Sequence, residues 1–587
     1  MRGRRAGRAI AVVATCAALA CAGGPGGSQG AGSVPESSQF PTPEQLEKLE
    51  AAPVPAKLFE LDVRMVDAWE LAGPFPERIV SEPYSEPENP WAALVDDAAR
   101  RRAGLVVPTE AMYCVARELG RFYLAQRGQP TASLRAFMTA RCNAPVAHVS
   151  FQYVEGEVSR ERDDASIYGQ WKDSAAKAIQ ESLKGGPQTI GIWFGRDEGR
   201  ALVMVAFGRR ELLLDPVETV PTDGAIEVRG EVLSPAKAIS GLVNHGRVGF
   251  AECTRVGEVA LPSFHLRCPV DPADESALVS VGIHPPARLL GELGLTVLAW
   301  PQGDRSASYR RPVYGESWPM LDEQNLDDGF VELLNRVRRE AGLEPVELDA
   351  GQSETAARLA PHFFASMYGA DDEVTADMVV LGMIAGWTVD GIVQTGHFSA
   401  AWAVRTNDLA DLLAAALEMP SGRETLLATD VQRIAIGPML RTEKDREWIA
   451  ATFGTYSLFS EKAHAAVARR VFEKIAAERK LRGVEPPVPL AEVGPLCELT
   501  ASAVQGGEEP ADAMNGLLQG SVEVLGRAVS GWVAEVADLD TLALPEEVLK
   551  RPSLGVAVAV SHRRAKGEPW GRYVVMLVLA DPEAQGV

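Results

Sequence analysis

Apolar residues recur at helical spacing over 110–127 (EAMYCVARELGRFYLAQR), which predicts an amphipathic helix. A second helix is expected over about 131–141, with Thr131 or Ser133 as N-cap. A third is expected over 169–184, stopped by Gly185-Gly186-Pro187. The period then changes to that of strands. TIGIWFG (189–195) and RALVMVAFG (200–208), joined by RDEG, read as a hairpin. Upstream, LFELDVRMVDAWELA (58–72) can begin as a strand and is ended by Gly73-Pro74 and Pro76.

From 209 to 300 the apolar runs stay short. RELLL, AIEVRGEVL, RVGFAEC, SFHLRC and ALVSVGI are separated by Pro, Asp and Gly, and a small sandwich or barrel is the expectation. Residues 301–320 (PQGDRSASYRRPVYGESWPM) are polar and broken by prolines, and read as a linker. Two later stretches repeat the helix-then-hairpin form: RIAIGPMLRTEKDREWIAATFG (433–454) and LGVAVAVSHRRAKGEPWGRYVVMLVLA (554–580). An Arg, Gly and Pro series over 472–504 also echoes the start of the central stretch. These recurrences fit an α+β protein of three α/β units, with a β-rich insertion after the first. The plainer alternative is generic recurrence of helices and hairpins. The boundaries follow: an α/β domain at 54–208, a β-rich domain at 209–300, a linker at 301–320, a central domain at 321–460 and a last α/β domain at 461–587.

The start of the chain has its own pattern. Arg2, Arg4, Arg5 and Arg8 precede an apolar run from Ala9 to Ala20, interrupted by Thr15. A basic start, a short apolar core and small residues at the end make residues 1–20 a secretory signal peptide. The run is too short to span a bilayer, which needs about 20 residues. Ala18-Leu19-Ala20-Cys21 resembles the processing site of bacterial lipoproteins, which implies lipidation at Cys21 and a membrane partner through that lipid. Ala18-x-Ala20 also satisfies the rule for ordinary secretion, and an uncleaved anchor is the third alternative. Residues 21–53, rich in Gly, Ser, Pro and Glu, are a flexible tether. Ser28 sits there in a formal GxSxG without the strand and helix that a nucleophile elbow needs. The implied location is extracytoplasmic and lipid-anchored to the bacterial envelope, leaning to the outer membrane because Ala22, not Asp, follows Cys21.

The 587 residues exceed what one core serves, and 46% hydrophobic with 24% charged content is ordinary for globular domains. A formal net charge of −22 repels phosphate backbones and argues against nucleic-acid partners. No Cys stands in a CxxC, which leaves clustered zinc or haem sites without support. Export permits disulfides. Cys114–Cys142 would join two predicted helices and Cys253–Cys268 two predicted strands, leaving Cys497 as a buried free thiol.

Residues 320–460 carry a family resemblance. GFVELLNRVRREAGLEPVELDAGQSETAARLAPHFFASM (329–367) is similar to the opening of the CAP superfamily (cysteine-rich secretory proteins, antigen 5 and pathogenesis-related 1). The matching positions are Asn335, Arg338, Gly342-Leu343, Pro345, Asp349 and Ala356-Ala357. GHFSAAWAVRTNDLADLLAAALEMPSGRETLL (396–427) resembles the bacterial form, Gly-Glu-Asn-Ile-Ala, a helix, then Ser-Pro-Gly-His-Arg-x-Asn-Leu-Leu. The resemblance implies an α-β-α sandwich for this domain, and if the recurrences are repeats of it the flanking units are degenerate versions.

It also implies a cleft with two His and two Glu, and that set is depleted here. His397 falls where the family has Glu, Gly422 where it has His, and GADDE (369–373) where the earlier His is expected. No metal or cofactor is therefore expected. A ligand groove is expected from His397, Trp402, Arg423 and Asp371. His397 is the candidate if any residue is catalytic, with Asp371, Asp372 or Glu373 as partner, and otherwise is a hydrogen-bonded histidine at the cleft wall. His362 is expected to face away from the cleft. His562, beside Arg563, Arg564 and Lys566, reads as a solvated hairpin tip. The functional expectation is a non-enzymatic envelope lipoprotein binding a lipid, glycan or protein. An envelope hydrolase and a structural spacer or adhesion module are the alternatives.

Overall fold

The computed structural model describes residues 10–14 and 43–581, apart from 55–64, 67, 127, 184–185, 198, 258, 287–290, 320–325, 367–372, 390, 405–407, 444–445, 460–463, 538 and 565–569. Cys21 and Asp371 lie outside the described residues.

The first α/β unit runs α1 (Ala92–Arg101), β1 (Val106–Pro108), α2 (Glu110–Gln126), α3 (Ala132–Arg141), β2 (Ser150–Glu157), α4 (Asp164–Ser182), β3 (Gln188–Arg196) and β4 (Arg200–Arg209). Its sheet has the spatial order β1–β3–β4–β2, with Ile10–Ala14 antiparallel beyond β2. β1 is parallel to β3, and the other pairs are antiparallel. Thr131 caps α3 by accepting the Leu134 N–H, as its position predicts.

The β-rich insertion is a sandwich. One sheet is built from β5 (Leu212–Leu214), β6 (Ala225–Val232), β9 (Thr254–Arg255) and β10 (Ser263–Pro269). The other is built from β7 (Ala238–His245), β8 (Gly249–Glu252), β11 (Ala277–His284) and β12 (Glu292–Ala299). Both bury alternate residues in a shared core that includes Val228, Leu266, Val279 and Val297. That alternation is why the short apolar runs were legible as strands.

The central unit contains α5 (Leu326–Glu340), β13 (Glu347–Leu348), α6 (Ala350–Ser366), α7 (Glu373–Ala385), β14 (Val393–Val404), α8 (Leu409–Ala416), α9 (Pro420–Leu427), β15 (Arg433–Glu443) and β16 (Arg446–Leu458). The last unit contains α10 (His464–Leu481), β17 (Val488–Pro489), α11 (Gly494–Gln505), α12 (Pro510–Leu525), β18 (Ser530–Val536), α13 (Glu546–Lys550), β19 (Gly555–Arg563) and β20 (Arg572–Ala580). Their sheets are ordered β13–β15–β16–β14 and β17–β19–β20–β18. In each, the short first strand is parallel to the third and the remaining pairs are antiparallel. One strand order therefore occurs three times in the chain.

The central sheet divides two helical layers. Phe453, Ile436 and Ala401 face α5, α8 and α9, while Phe398, Ala435 and Ala450 face α6 and α7. A three-layer arrangement was expected from the resemblance, and the described residues have helices on both faces of the sheet.

Two disulfides are present. Cys114–Cys142 ties α2 to the end of α3, and Cys253–Cys268 ties the two sheets of the sandwich together. Cys497 is free and buried. Among the described residues no helix is long and apolar enough to cross a membrane.

Two expectations need correction. Residues 301–320 are more than a linker: Ser308–Arg310 pairs antiparallel with Ala68–Glu70, and Tyr314 is fully buried with its hydroxyl donating to Arg247 O at 2.7 Å. His562 is no solvated tip. It is buried, its ring stacks on Phe459 at 4.8 Å, and its Nδ1 lies 3.2 Å from His464 Nε2.

Candidate functional site

The site grows from the parity of β14. Gly396 lets the strand lie directly on α7, since a Cβ there would fall 2.3 Å from Ile384 O. The next residue, His397, must therefore point to the opposite face, toward α9. It is buried beside the ladder partner Thr455, whose hydroxyl donates to Thr425 O at 2.7 Å and fixes α9 on the sheet.

α9 is held at both ends by guanidinium groups. Arg338 of α5 is fully buried and donates to Glu344 O, Leu426 O and Ala428 O at 2.8, 2.7 and 3.2 Å. Two of those carbonyls terminate α9, where cations are favoured. Arg423 donates to Leu417 O at 3.0 Å and, across to the β insertion, to the carbonyls of His245, Gly246 and Gly249 at 3.1, 3.0 and 2.9 Å. Between these clamps Glu424 faces His397.

The result is an imidazole between carboxylates. Glu424 Oε1 is 4.0 Å from Nδ1, and Asp430 Oδ1 is 3.7 Å from Nε2. Both distances are those of ion pairs rather than hydrogen bonds. His397 and Glu424 are almost wholly buried, while the Asp430 side chain is 51% exposed and forms the mouth. Thr395 donates to Asp430 Oδ2 at 3.1 Å. Glu252, at the end of β8, adds its charge from the β insertion to both His397 and Glu424.

Electrostatics follow from this packing. Burial pushes the His397 imidazole down, but Asp430, Glu424 and Glu252 together pull harder and hold it above its usual value. Burial pushes Glu424 up to about 7, against the pull of His397. Asp430 is held below its usual range, first by His397. Glu252 is raised, first by burial. A buried carboxyl held up to about 7 beside a raised imidazole can donate or accept a proton to a bound group.

The expected site residues separate. His397 belongs to the cluster. Trp402 lies five positions along the same strand, on the other face, half-buried against the α6–α7 layer. One groove cannot hold both side chains. Arg423 is committed to backbone carbonyls and joins the central unit to the β insertion instead of lining a groove. His362 sits on α6, the layer opposite His397. Gly422 could not carry the family's histidine, because a Cβ there would lie 1.7 Å from Ala416 O.

Glu424, Asp430 and Glu252 were missed from sequence. The available signal was a Glu inside an eight-residue helix in which every residue is buried. The same ladder position in the other units holds no imidazole. Register through β13, β15 and β16 places His397 where β17, β19 and β20 place Ser530. In the first unit that position falls on Ser150, the first residue of β2. Among the described residues, no group of three or more His, Cys, Asp or Glu is arranged to hold a metal ion.

No family model and no curated protein matches the chain. Solved structures similar to it include the two that follow. One is a cysteine-rich secretory protein from Staphylococcus aureus subsp. aureus Mu50, 16% identical, covering 42% of this chain and 68% of that one with a TM-score of 0.17. The other is an extracellular protein containing a SCP domain from Bacillus anthracis str. Ames, 11% identical, covering 42% of this chain and 85% of that one, also with a TM-score of 0.17.

Proposed function

We propose that this is an extracytoplasmic binding protein, moored to the bacterial envelope by lipid at Cys21, whose central CAP-like domain holds a polar ligand at His397. The observation that carries the reading is His397 itself. It is buried, and both ring nitrogens lack a hydrogen-bond partner while carboxylates stand 3.7 and 4.0 Å away. An imidazole left so costs about 1–3 kcal/mol unless something completes its bonding. The polar mouth at Asp430 suits hydroxyl and amine donors better than an acyl chain, so an envelope glycan is favoured over a lipid. The two disulfides belong to an oxidising compartment and support export. The flanking units act as degenerate, non-binding copies of the central domain, since neither offers an imidazole at that place.

A second reading, an envelope hydrolase, is favoured by one fact: Glu424, at about 7, is poised as a general acid beside a base. One experiment separates the two. Soluble peptidoglycan fragments are titrated into the full chain, with the mixture followed by mass spectrometry. Binding without new products, insensitive to chelator and lost in His397→Ala, is the expected result. New products that vanish in the same variant would establish the hydrolase, and no binding at all would end both readings. Mooring is checked separately: Cys21→Ala should move the protein from the membrane fraction to the soluble fraction.

A further inference from the structure

The ligand class can be narrowed, on the premise that His397 marks the binding site. We propose that this site takes a protonated amine, entering past Asp430, the exposed carboxylate of the cluster. Two carboxylates flank one imidazole here, Glu424 from α9 and Asp430 from the loop before β15, and Glu252 at the end of β8 adds a more distant negative charge. The neighbours of His397 on the strands, Thr395, Ser399 and Thr455, are hydroxyls. The cations around α9 are Arg338 and Arg423, and both are bound to backbone carbonyls. A cationic guest thus meets an excess of negative charge, inside a protein of net charge −22.

The unpartnered atoms point the same way. Glu424 Oε2 and both nitrogens of His397 are buried without a hydrogen bond, on side chains more than nine-tenths buried. An ammonium group carries three N–H donors and no acceptor, which suits the Glu424 and Asp430 oxygens and the one imidazole nitrogen that accepts once His397 has given up its proton. A single metal ion matches poorly. Glu424 lies on the Nδ1 side of the ring and Asp430 on the Nε2 side, so the two carboxylates cannot share one ion with one ring nitrogen.

Charge balance adds a proton. Burial holds the Glu424 proton up to about 7, and the surrounding carboxylates make His397 keep its proton to higher pH than usual. An arriving ammonium removes that advantage, and a proton leaves the pair to solvent. Affinity therefore rises with pH over the range in which the pair is protonated and the amine remains charged.

The test uses the full chain at 0.15 M salt, with spermidine as probe and its neutral triacetyl form, zinc chloride and a neutral chitin tetrasaccharide as comparators. Calorimetry in two buffers of different ionisation enthalpy reads the proton, and the His397 ring resonance reports locally. Spermidine should shift that resonance, release a proton and bind about tenfold more tightly at pH 7.5 than at pH 5.5. Glu252→Gln and Asp430→Asn should each weaken it about tenfold, with unchanged circular dichroism. Equal binding by both variants would mean diffuse attraction to an acidic surface and overturn the proposal. A response to zinc or to the tetrasaccharide but not to spermidine would also overturn it, and the tetrasaccharide result would leave the glycan-binding reading standing. Silence to every probe would remove both.

Discussion

Arg338 and Arg479 hold the same place in two successive units. Each is fully buried near the end of its unit's first helix. Each donates Nε to the carbonyl six residues on (Glu344 and Glu485) and its terminal nitrogens to carbonyls closing a later short helix (Leu426 and Ala428, Val548 and Arg551). Each is followed four residues later by a left-handed glycine, Gly342 at φ 74° and Gly483 at φ 72°. The hydrogen bonds around both glycines are those of a Schellman ending: Leu343 to Arg338 and Gly342 to Arg339, Val484 to Arg479 and Gly483 to Lys480. A shared strand order can arise by chance. A shared order with the same buried cation on the same carbonyls argues for repeated units.

Arg338→Ala leaves buried carbonyls without donors and should destabilise the central unit by about 3 kcal/mol or more. Arg338→Lys should rescue little, because an ammonium cannot span three carbonyls arranged for a planar fork. Calorimetric unfolding of both variants is the check. Because Leu426 and Ala428 frame the carboxylate loop, the same variants should also disturb the His397 resonance.

Gly342→Ala and Gly483→Ala should each cost about 1 kcal/mol. Nothing lies within 4 Å of the added methyl at either place, so the cost is backbone strain alone. Equal losses in urea unfolding would support the equivalence of the two turns.

The His397–Glu424 pair gives stability a pH dependence of known sign. The folded value of Glu424, about 7, exceeds its unfolded value, so its contribution is fully present below about pH 4.5 and is lost as pH rises through 7. His397 is also raised and behaves alike, contributing below its unfolded value and losing that contribution above it. The central unit should therefore weaken between pH 5 and pH 8, by about 2 kcal/mol. Glu424→Gln should flatten that slope. A melting temperature of the central transition that rises over the interval would contradict the assignment.

Asp430→Asn should lower the His397 titration, because Asp430 heads the charges that favour the imidazolium. A ring-proton titration displaced to lower pH is expected. No change would mean that the 3.7 Å approach is absent in solution.

The disulfides predict separate effects. Removing Cys114–Cys142, which closes 28 residues, should destabilise the first unit by about 3–4 kcal/mol. Removing Cys253–Cys268, which closes 15, should cost the sandwich about 3 kcal/mol. Differential scanning calorimetry of the two double-alanine variants should lower different transitions.

The sequence was a good guide to hairpins and a poor one to the site. Runs such as TIGIWFG and RALVMVAFG are apolar on both faces and bounded by turn residues, and they pair as β3 and β4. The two cysteine bridges were also legible. Trp402 was misplaced for a simple reason: it is an odd number of residues from His397 along one strand, so the pleat sends the two side chains apart. Arg423 was read as a groove residue because its partners, the carbonyls of 245–249, lie some 175 positions away and are invisible to local pattern. Glu424 looks in sequence like any solvated helical acid. Only the packing of α8, β14 and the β insertion on all sides of α9 buries it. Glu252 acts on the site through its charge, from a strand some 145 positions away in the chain.

The pairing of Ser308–Arg310 with Ala68–Glu70 has a consequence for synthesis. A two-stranded ribbon beside the first unit is completed by residues made some 240 positions later, so a chain emerging amino end first cannot form that ribbon when the first unit's own residues are complete. It must wait until the sandwich has followed. The β-rich segment is thereby an obligatory passenger rather than an appendage, and shortening the gene at its far boundary should leave Ala68–Glu70 as a strand without its partner.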